Sequence, residues 1–393
     1  MRQRRVLLKI TETILLSAFL LVVACASAPK GEVQAVEKKH EKKRLDVTDR
    51  PQTPEEWAKF YTQKGIDALE VKKGGKPDFE SAIKFFTKAT EAYPKSPTVW
   101  FNLGLAYQQM GDDENAVKNY NAALQLEPTY ARPVINKAAI YANKLEYNRA
   151  IDVCEKFLEE NPKDKAVLSA VAGFYLKKRD FLKAIESVRK ILIQEPSNMD
   201  ALKNLGMIYL LKKDIGLATM VTTNSYNLNR NDAGIVNNRG VIFHEQGDDS
   251  LAMFYYTQAL EIDPQNKAAN FNVGSIAMSY GDAERAFHHF SVVLAQDPDN
   301  LDARIGLALA YRGLGNFGEA EAEYKKVLEK DPNNSVAVFN LGVLYHDHMN
   351  RKVEAQSLFR KYLNIGGDVG QDHIVHKYIA DKVKIRPSED EQN

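Results

Sequence analysis

Apolar residues recur along this chain with a period longer than any single helix or strand can produce. Between residues 97 and 130 the fixed positions are Trp100, Leu103-Gly104, Tyr107, Ala116, Tyr120 and Ala123, closed by Pro128. Steps of three and four residues mark one face of a helix, so this stretch predicts two amphipathic helices joined by a short turn. The same frame returns at a fixed step, equal to that from Pro94 to Pro128. Its first-helix aromatic comes back as Tyr141, Tyr175, Tyr209, Tyr311 and Tyr345, with Phe243 and Ala277 as substitutes. Its second-helix alanine comes back as Ala150, Ala184, Ala218, Ala252, Ala286 and Ala320. The prolines form a ladder, Pro94, Pro128, Pro162, Pro196, Pro264, Pro298 and Pro332, with Arg230 on the missing rung. Each position has a physical reason. Gly or Ala at the crossing lets two helix backbones approach, the aromatic fills the space beside them, and proline ends the second helix because its ring cannot continue one.

A helix–turn–helix unit of this length with these residues resembles the tetratricopeptide repeat (TPR), which stacks into a solenoid. The resemblance implies an all-α fold: a right-handed superhelix of about nine repeats with a C-terminal capping helix. The expected repeats are about 53–96, 97–130, 131–164, 165–198, 199–232, 233–266, 267–300, 301–334 and 335–368. The first carries about five extra residues at Lys72-Lys73-Gly74-Gly75-Lys76, and the ninth one extra before Ala355. Residues 369–393 are expected to hold the cap and a polar tail. Within them Ile374, Val375, Tyr378, Ile379 and Val383 share one helical face, with Lys377, Asp381 and Lys384 on the other.

The N-terminal segment, Met1 to Cys25, follows a different logic. A start with Arg2, Arg4, Arg5 and Lys9 leads into the apolar run Ile14 to Ala24, too short to span a bilayer as a helix. The ending Val22-Val23-Ala24-Cys25 resembles the lipobox of bacterial lipoproteins. That resemblance implies a signal peptide over 1–24, acylation of Cys25, no cofactor beyond this covalent lipid, and stable anchoring through two or more acyl chains. Ala26 after the cysteine, rather than Asp, implies the outer membrane, with the protein facing the periplasm. Residues 25–52 then read as a charged flexible tether, Glu37 to Arg44 being almost entirely charged. The chain's 53 basic and 52 acidic side chains become 49 and 51 once Arg2, Arg4, Arg5, Lys9 and Glu12 leave with the signal peptide, a net charge of −2. Such a balance offers no concentrated basic surface for nucleic acid.

Catalytic chemistry is not legible. There is no Gly-rich phosphate loop, no nucleophile elbow and no His-Glu-x-x-His zinc pattern, and the repeats leave no room for a catalytic domain. The expectation is therefore a non-enzyme without a small-molecule substrate. The pairs His288-His289, His346-x-His348 and His373-x-x-His376 lack a clear third ligand and read as polar surface rather than a metal site. Cys154 falls where other repeats place Tyr120, Tyr256, Phe290 and Tyr324, and reads as a small core residue.

The binding surface is expected along the first helices. Just before the Leu-Gly pair stand Asn102, Asn136, Asn204, Asn238, Asn272 and Asn340, with Ala170 and Gly306 as exceptions. A side-chain amide both donates and accepts, so a row of them can pair with the backbone of an extended peptide. The row resembles the asparagine ladder of O-GlcNAc transferases. Phe101, Leu105, Met207, Val241, Phe271 and Phe339 are expected beside it as an apolar groove lining, suited to a hydrophobic partner segment. The lysine and arginine clamp of TPR chaperone adaptors is absent but for Lys203-Asn204. In the fifth repeat Thr222 and Ser225 take packing positions, which predicts a weaker joint with the sixth. An anchored TPR chain with nothing else resembles the accessory lipoproteins of gliding-motility and type IV pilus or secretion machines. The expected role is a scaffold for the proteins of such an envelope complex, and the alternative is a periplasmic chaperone for outer-membrane proteins.

Overall fold

Side-chain caps mark the start of many of the helices, as Thr53, Asp78 and Asp112 do. A computed structural model describes residues 51–70, 77–366 and 374–380. The signal peptide, Cys25, most of the tether and the Lys72–Lys76 insertion lie outside the described residues, as do Asp372, His373, Asp381, Val383 and Lys384. The described residues form helices and connecting turns only. They fall into two compact units, one up to Val221 and one from Thr222 onward.

The first unit holds the pairs α1 (Pro54–Leu69) and α2 (Phe79–Ala92), α3 (Pro97–Met110) and α4 (Asp113–Leu126), and α5 (Ala131–Asn143) and α6 (Tyr147–Glu160). It continues with α7 (Lys165–Lys177) and α8 (Phe181–Gln194), then α9 (Met199–Leu211). Helix α10 (Ile215–Leu228) contains the division at Thr222. The second unit holds α11 (Ala233–Glu245) and α12 (Asp249–Ile262), α13 (Lys267–Tyr280) and α14 (Ala283–Gln296), and α15 (Leu301–Gly313) and α16 (Phe317–Lys330). It ends with α17 (Ser335–Val343), α18 (Lys352–Asn364) and the short α19 (Ile374–Ala380).

Within the pairs from α3–α4 to α15–α16 the turn is one motif. The first or second residue after the first helix has positive φ, and the next N–H donates to the carbonyl of the aromatic register, as in Asp112 to Tyr107 and Asp248 to Phe243, both 2.9 Å. The same aspartates then cap the second helix by accepting from the N–H three residues on, Asn115 and Leu251. Glycine fills the positive-φ position at 111, 247, 281 and 315, where the left-handed backbone is free of strain. Leu145, Arg179 and Lys213 hold it at φ 61–64°, a conformation disfavoured for residues with a Cβ. The extra residue of the last pair is absorbed by a π-turn, Leu344–His348, ahead of Asn350 at φ 52°.

Packing follows the small-against-large pairing. A methyl at Gly104 would stand 2.7 Å from the Tyr120 ring and one at Gly342 would stand 2.7 Å from Phe359. Where the first helix carries Ala instead, at Ala138 and Ala172, the second helix answers with the smaller Cys154 and Val188, all of them buried. Ala308 beside Tyr324 is the exception. Helix α19 covers the end of the second unit: Val375 is buried and the Tyr378 ring stacks on Phe359 at 4.7 Å.

Candidate functional site

In each unit the first helices of neighbouring pairs touch one another, α3 with α5 and α5 with α7, and α11 with α13 and α13 with α15. The asparagine row lies on these helices, and its six members are held differently. Asn272 Nδ2 donates to Asn237 Oδ1 at 2.9 Å, and Asn340 Nδ2 to the Val336 carbonyl at 2.9 Å, both residues being buried. Asn238 Oδ1 accepts from Asn237 at 3.5 Å. In the first unit the amides are held loosely. Asn136 donates to the Tyr120 hydroxyl at 3.3 Å and Asn204 to Ser169 Oγ at 3.4 Å, long for their type. Asn102, 9% exposed, makes no side-chain hydrogen bond to the described residues.

The apolar neighbours occupy another place than expected. Phe101, Leu105, Met207, Val241, Phe271 and Phe339 are only 3–6% exposed. The Phe101 ring packs against Tyr120 and Tyr130, Phe271 against Phe290, and Phe339 against Phe359 and Tyr362. The three phenylalanines turn into the seam with the second helix, and Leu105, Met207 and Val241 are equally buried, so all six belong to the core and an open apolar lining is not present at them. Accessible along the first helices are polar groups such as Gln108, Lys203, His244, Arg312 and the half-buried amides, together with Met110 and Tyr280 at two helix ends.

Three segments, residues 97–130, 233–266 and 277–341, match the family profile of the tetratricopeptide repeat. Those three segments are tetratricopeptide repeats. Among curated proteins it is similar to Hsp70-Hsp90 organizing protein 2 of Arabidopsis thaliana, 24% identical over 131 residues, 31% of this chain and 22% of the relative. It is also similar to Photosystem I assembly protein Ycf3 of Synechococcus sp. (strain CC9902), 41% identical over 75 residues, 18% of this chain and 43% of the relative. The chain thus spans less than half the length of these relatives. Among solved structures it shares its fold with a chain of the APC/C hetero-tetramer Cut9-Hcn1, at 14% identity and a TM-score of 0.55, over 81% of this chain and 62% of that one.

Other polar side chains of the TPR units make contacts within the protein. His289 Nδ1 lies 2.8 Å from Asn270 Oδ1; burial, helped by His288 and Arg285, lowers its pKa to about 4 and keeps the ring neutral. His346 pairs with Asp347 at 2.7 Å, and His348 stacks on Phe317 at 4.8 Å. No group of three His, Cys, Asp or Glu side chains among the described residues is arranged to hold a metal ion. Cys154 is fully buried, and burial pushes its thiol up to about 12, far from the thiolate a nucleophile needs.

Two features had weaker signals in the sequence. Arg239 stands where most TPR units here place Leu or Val, and its guanidinium lies 4.7, 5.0 and 5.9 Å from the rings of Tyr226, Tyr255 and Phe243. The break in the leucine register was the available sign. Glu321 gathers Lys325, Tyr345 and Arg351 at 2.6–3.0 Å, tying α16 to the last pair. Burial acts to raise this carboxyl, yet the three hydrogen bonds outweigh it and hold the pKa at about 2.

Proposed function

We propose that this chain is a lipid-anchored TPR scaffold at the periplasmic side of the outer membrane. In this reading Cys25 carries the anchor and the repeats gather proteins of one envelope machine, of the gliding-motility or type IV pilus and secretion class. The observation that carries the binding mode is the state of the amides in the first unit. Asn102, Asn136 and Asn204 keep donors and acceptors that are unpaired or held by long bonds, so a partner backbone can take them over at little cost. In the second unit Asn272 and Asn340 already donate inside the protein and only Asn238 is held as loosely, so the first unit, where all three amides are available, suits the extended segment best. The similarity to an organizing protein and an assembly protein supports a gathering role, though each of those names describes the relative.

The test is affinity capture from solubilised membranes with the intact protein beside the Asn102→Ala, Asn136→Ala, Asn204→Ala triple variant. Loss of one defined set of envelope proteins at fixed ratios supports the scaffold. A broad, rapidly exchanging set of unfolded outer-membrane proteins identifies a chaperone instead. An unchanged catch by the triple variant refutes the amide row as the binding surface.

A further inference from the structure

At the start of the first unit, α1 carries an aromatic cluster unlike anything on the later first helices. Trp57 and Tyr61 stack at 5.5 Å and 26°, and Phe60 meets Trp57 edge-on at 5.8 Å and Tyr61 at 5.5 Å. All three rings are half-buried, and no described helix precedes them. Cations frame the cluster: Lys64 Nζ lies 5.7 Å from the centre of the Phe60 ring and Lys88 Nζ 5.6 Å from that of Tyr61, with Lys59 exposed alongside. Acids also stand nearby: Glu56 accepts from the Gln52 and Thr53 N–H groups in the capping box, Glu55 bonds the Tyr93 hydroxyl, Asp67 accepts from Gln63 Nε2, and Glu91 lies beside Lys88.

We infer that this end of the protein is a membrane seat, in which Trp57, Phe60 and Tyr61 enter the headgroup layer and Lys59, Lys64 and Lys88 meet anionic lipid phosphates. Trp and Tyr favour that depth because each has an apolar body and a polar edge, while lysine stems reach past apolar surface to the phosphates. Chain order supplies the occupant: only the charged tether separates Cys25 from α1, so α1 is the described element nearest in sequence to the lipid. This inference rests on the anchor reading above. A seat would fix which end of the repeats faces the bilayer, a task that a tether alone cannot perform.

The chain has two tryptophans, so Trp100→Phe leaves Trp57 as the sole reporter. The mature chain, acylated and as Cys25→Ser, is mixed with phosphatidylethanolamine–phosphatidylglycerol vesicles, with and without brominated acyl chains. The seat predicts a shift of Trp57 emission to shorter wavelength and bromine quenching in both forms. It also predicts that Lys64→Glu with Lys88→Glu, which leaves the rings in place, weakens vesicle binding of the Cys25→Ser form by about tenfold or more. Unchanged Trp57 emission on vesicle-bound acylated protein overturns it. A shift that appears without vesicles as protein concentration rises, with sedimentation as a dimer, overturns it in favour of a second copy. Labelled palmitate incorporation is measured separately. Its failure defeats the anchor alone, and the seat is then judged by the Cys25→Ser titration.

Discussion

Gly240→Ala tests whether the small-against-large pairing holds the TPR units together. A methyl at Gly240 would stand 2.6 Å from Cδ1 and Cε1 of Tyr256 and 3.0 Å from the Ala252 carbonyl oxygen. Carbon atoms rest at about 3.5–4.0 Å, so the ring must retreat by about 1 Å from a fully buried site. Overpacking of this kind costs about 1–3 kcal/mol, against a gain of about 1 kcal/mol for Ala over Gly in a helix interior. The expected net loss is about 1 kcal/mol. Gly318→Ala in the first turn of α16 is the control: no atom lies within 4 Å of the added methyl, and the substitution should stabilise by about 0.4–1 kcal/mol. Because a repeat array need not unfold in one step, the assay is amide hydrogen exchange of α11 and α12, read as a local opening free energy. Adding Tyr256→Val to Gly240→Ala copies the natural Ala172 and Val188 pair and should recover more than about 0.5 kcal/mol relative to additivity. Protection in Gly240→Ala equal to wild type, or strict additivity in the double variant, refutes the reasoning.

Other outcomes follow from the same contacts. The hydroxyls of Tyr256 and Tyr324 are buried without a hydrogen-bond partner among the described residues, whereas Tyr120 donates to Gln108 Oε1 at 2.6 Å. Tyr256→Phe should therefore raise stability by about 1 kcal/mol and Tyr120→Phe lower it by about as much, measured by denaturant midpoint. Lys213→Gly, at a left-handed position, should stabilise the turn by about 1 kcal/mol, and greater protection of nearby amides would verify it. His289 has a folded pKa of about 4, below its ordinary value, so its contribution to stability is present above about pH 6.5 and is lost as pH falls toward 4. His289→Gln should remove that part of the pH dependence in a denaturation series. Amides of residues 215–230 should exchange faster than those of 285–298, since Thr222 and Ser225 occupy buried packing positions, and equal rates would refute a weak joint.

The period made the fold legible because each register position has a steric duty that few residues can perform. The prolines, the Gly–ring pairs and the turn aspartates all stand where the repeat frame puts them. The division of the described residues also falls at Thr222, within the run whose hydroxyls replace the usual packing groups. There Ser225 Oγ bonds the Thr222 carbonyl on its own helix, so burial does not leave it unsatisfied. The candidate site was only half legible. A one-dimensional pattern shows that Phe101 and Phe339 lie next to the asparagine row, but not whether they turn toward solvent or into the seam. The seam wins because Tyr130 and Tyr362 offer rings to pack against. Nor does the pattern reveal that Asn272 is claimed by Asn237, a side chain from the preceding repeat.

One bond at the entry to the first helices bears on how such a chain can change. Trp100 Nε1 donates to the Pro94 carbonyl, Asn270 Nδ2 to that of Pro264 and the Arg304 guanidinium to that of Pro298, each reaching back six residues. An indole, an amide and a guanidinium share neither size nor charge, yet all bring an N–H to the carbonyl that the proline ladder leaves exposed. The other repeats place Val134, Leu168, Leu202, Val236 and Val338 at this position, all buried and without a side-chain donor. The site therefore accepts two solutions, a side chain that reaches back to the proline carbonyl or an aliphatic one that packs into the core. A substitution survey at Asn270 should accordingly favour residues that reach the Pro264 carbonyl or that pack like Val and Leu, and should penalise short polar side chains that do neither.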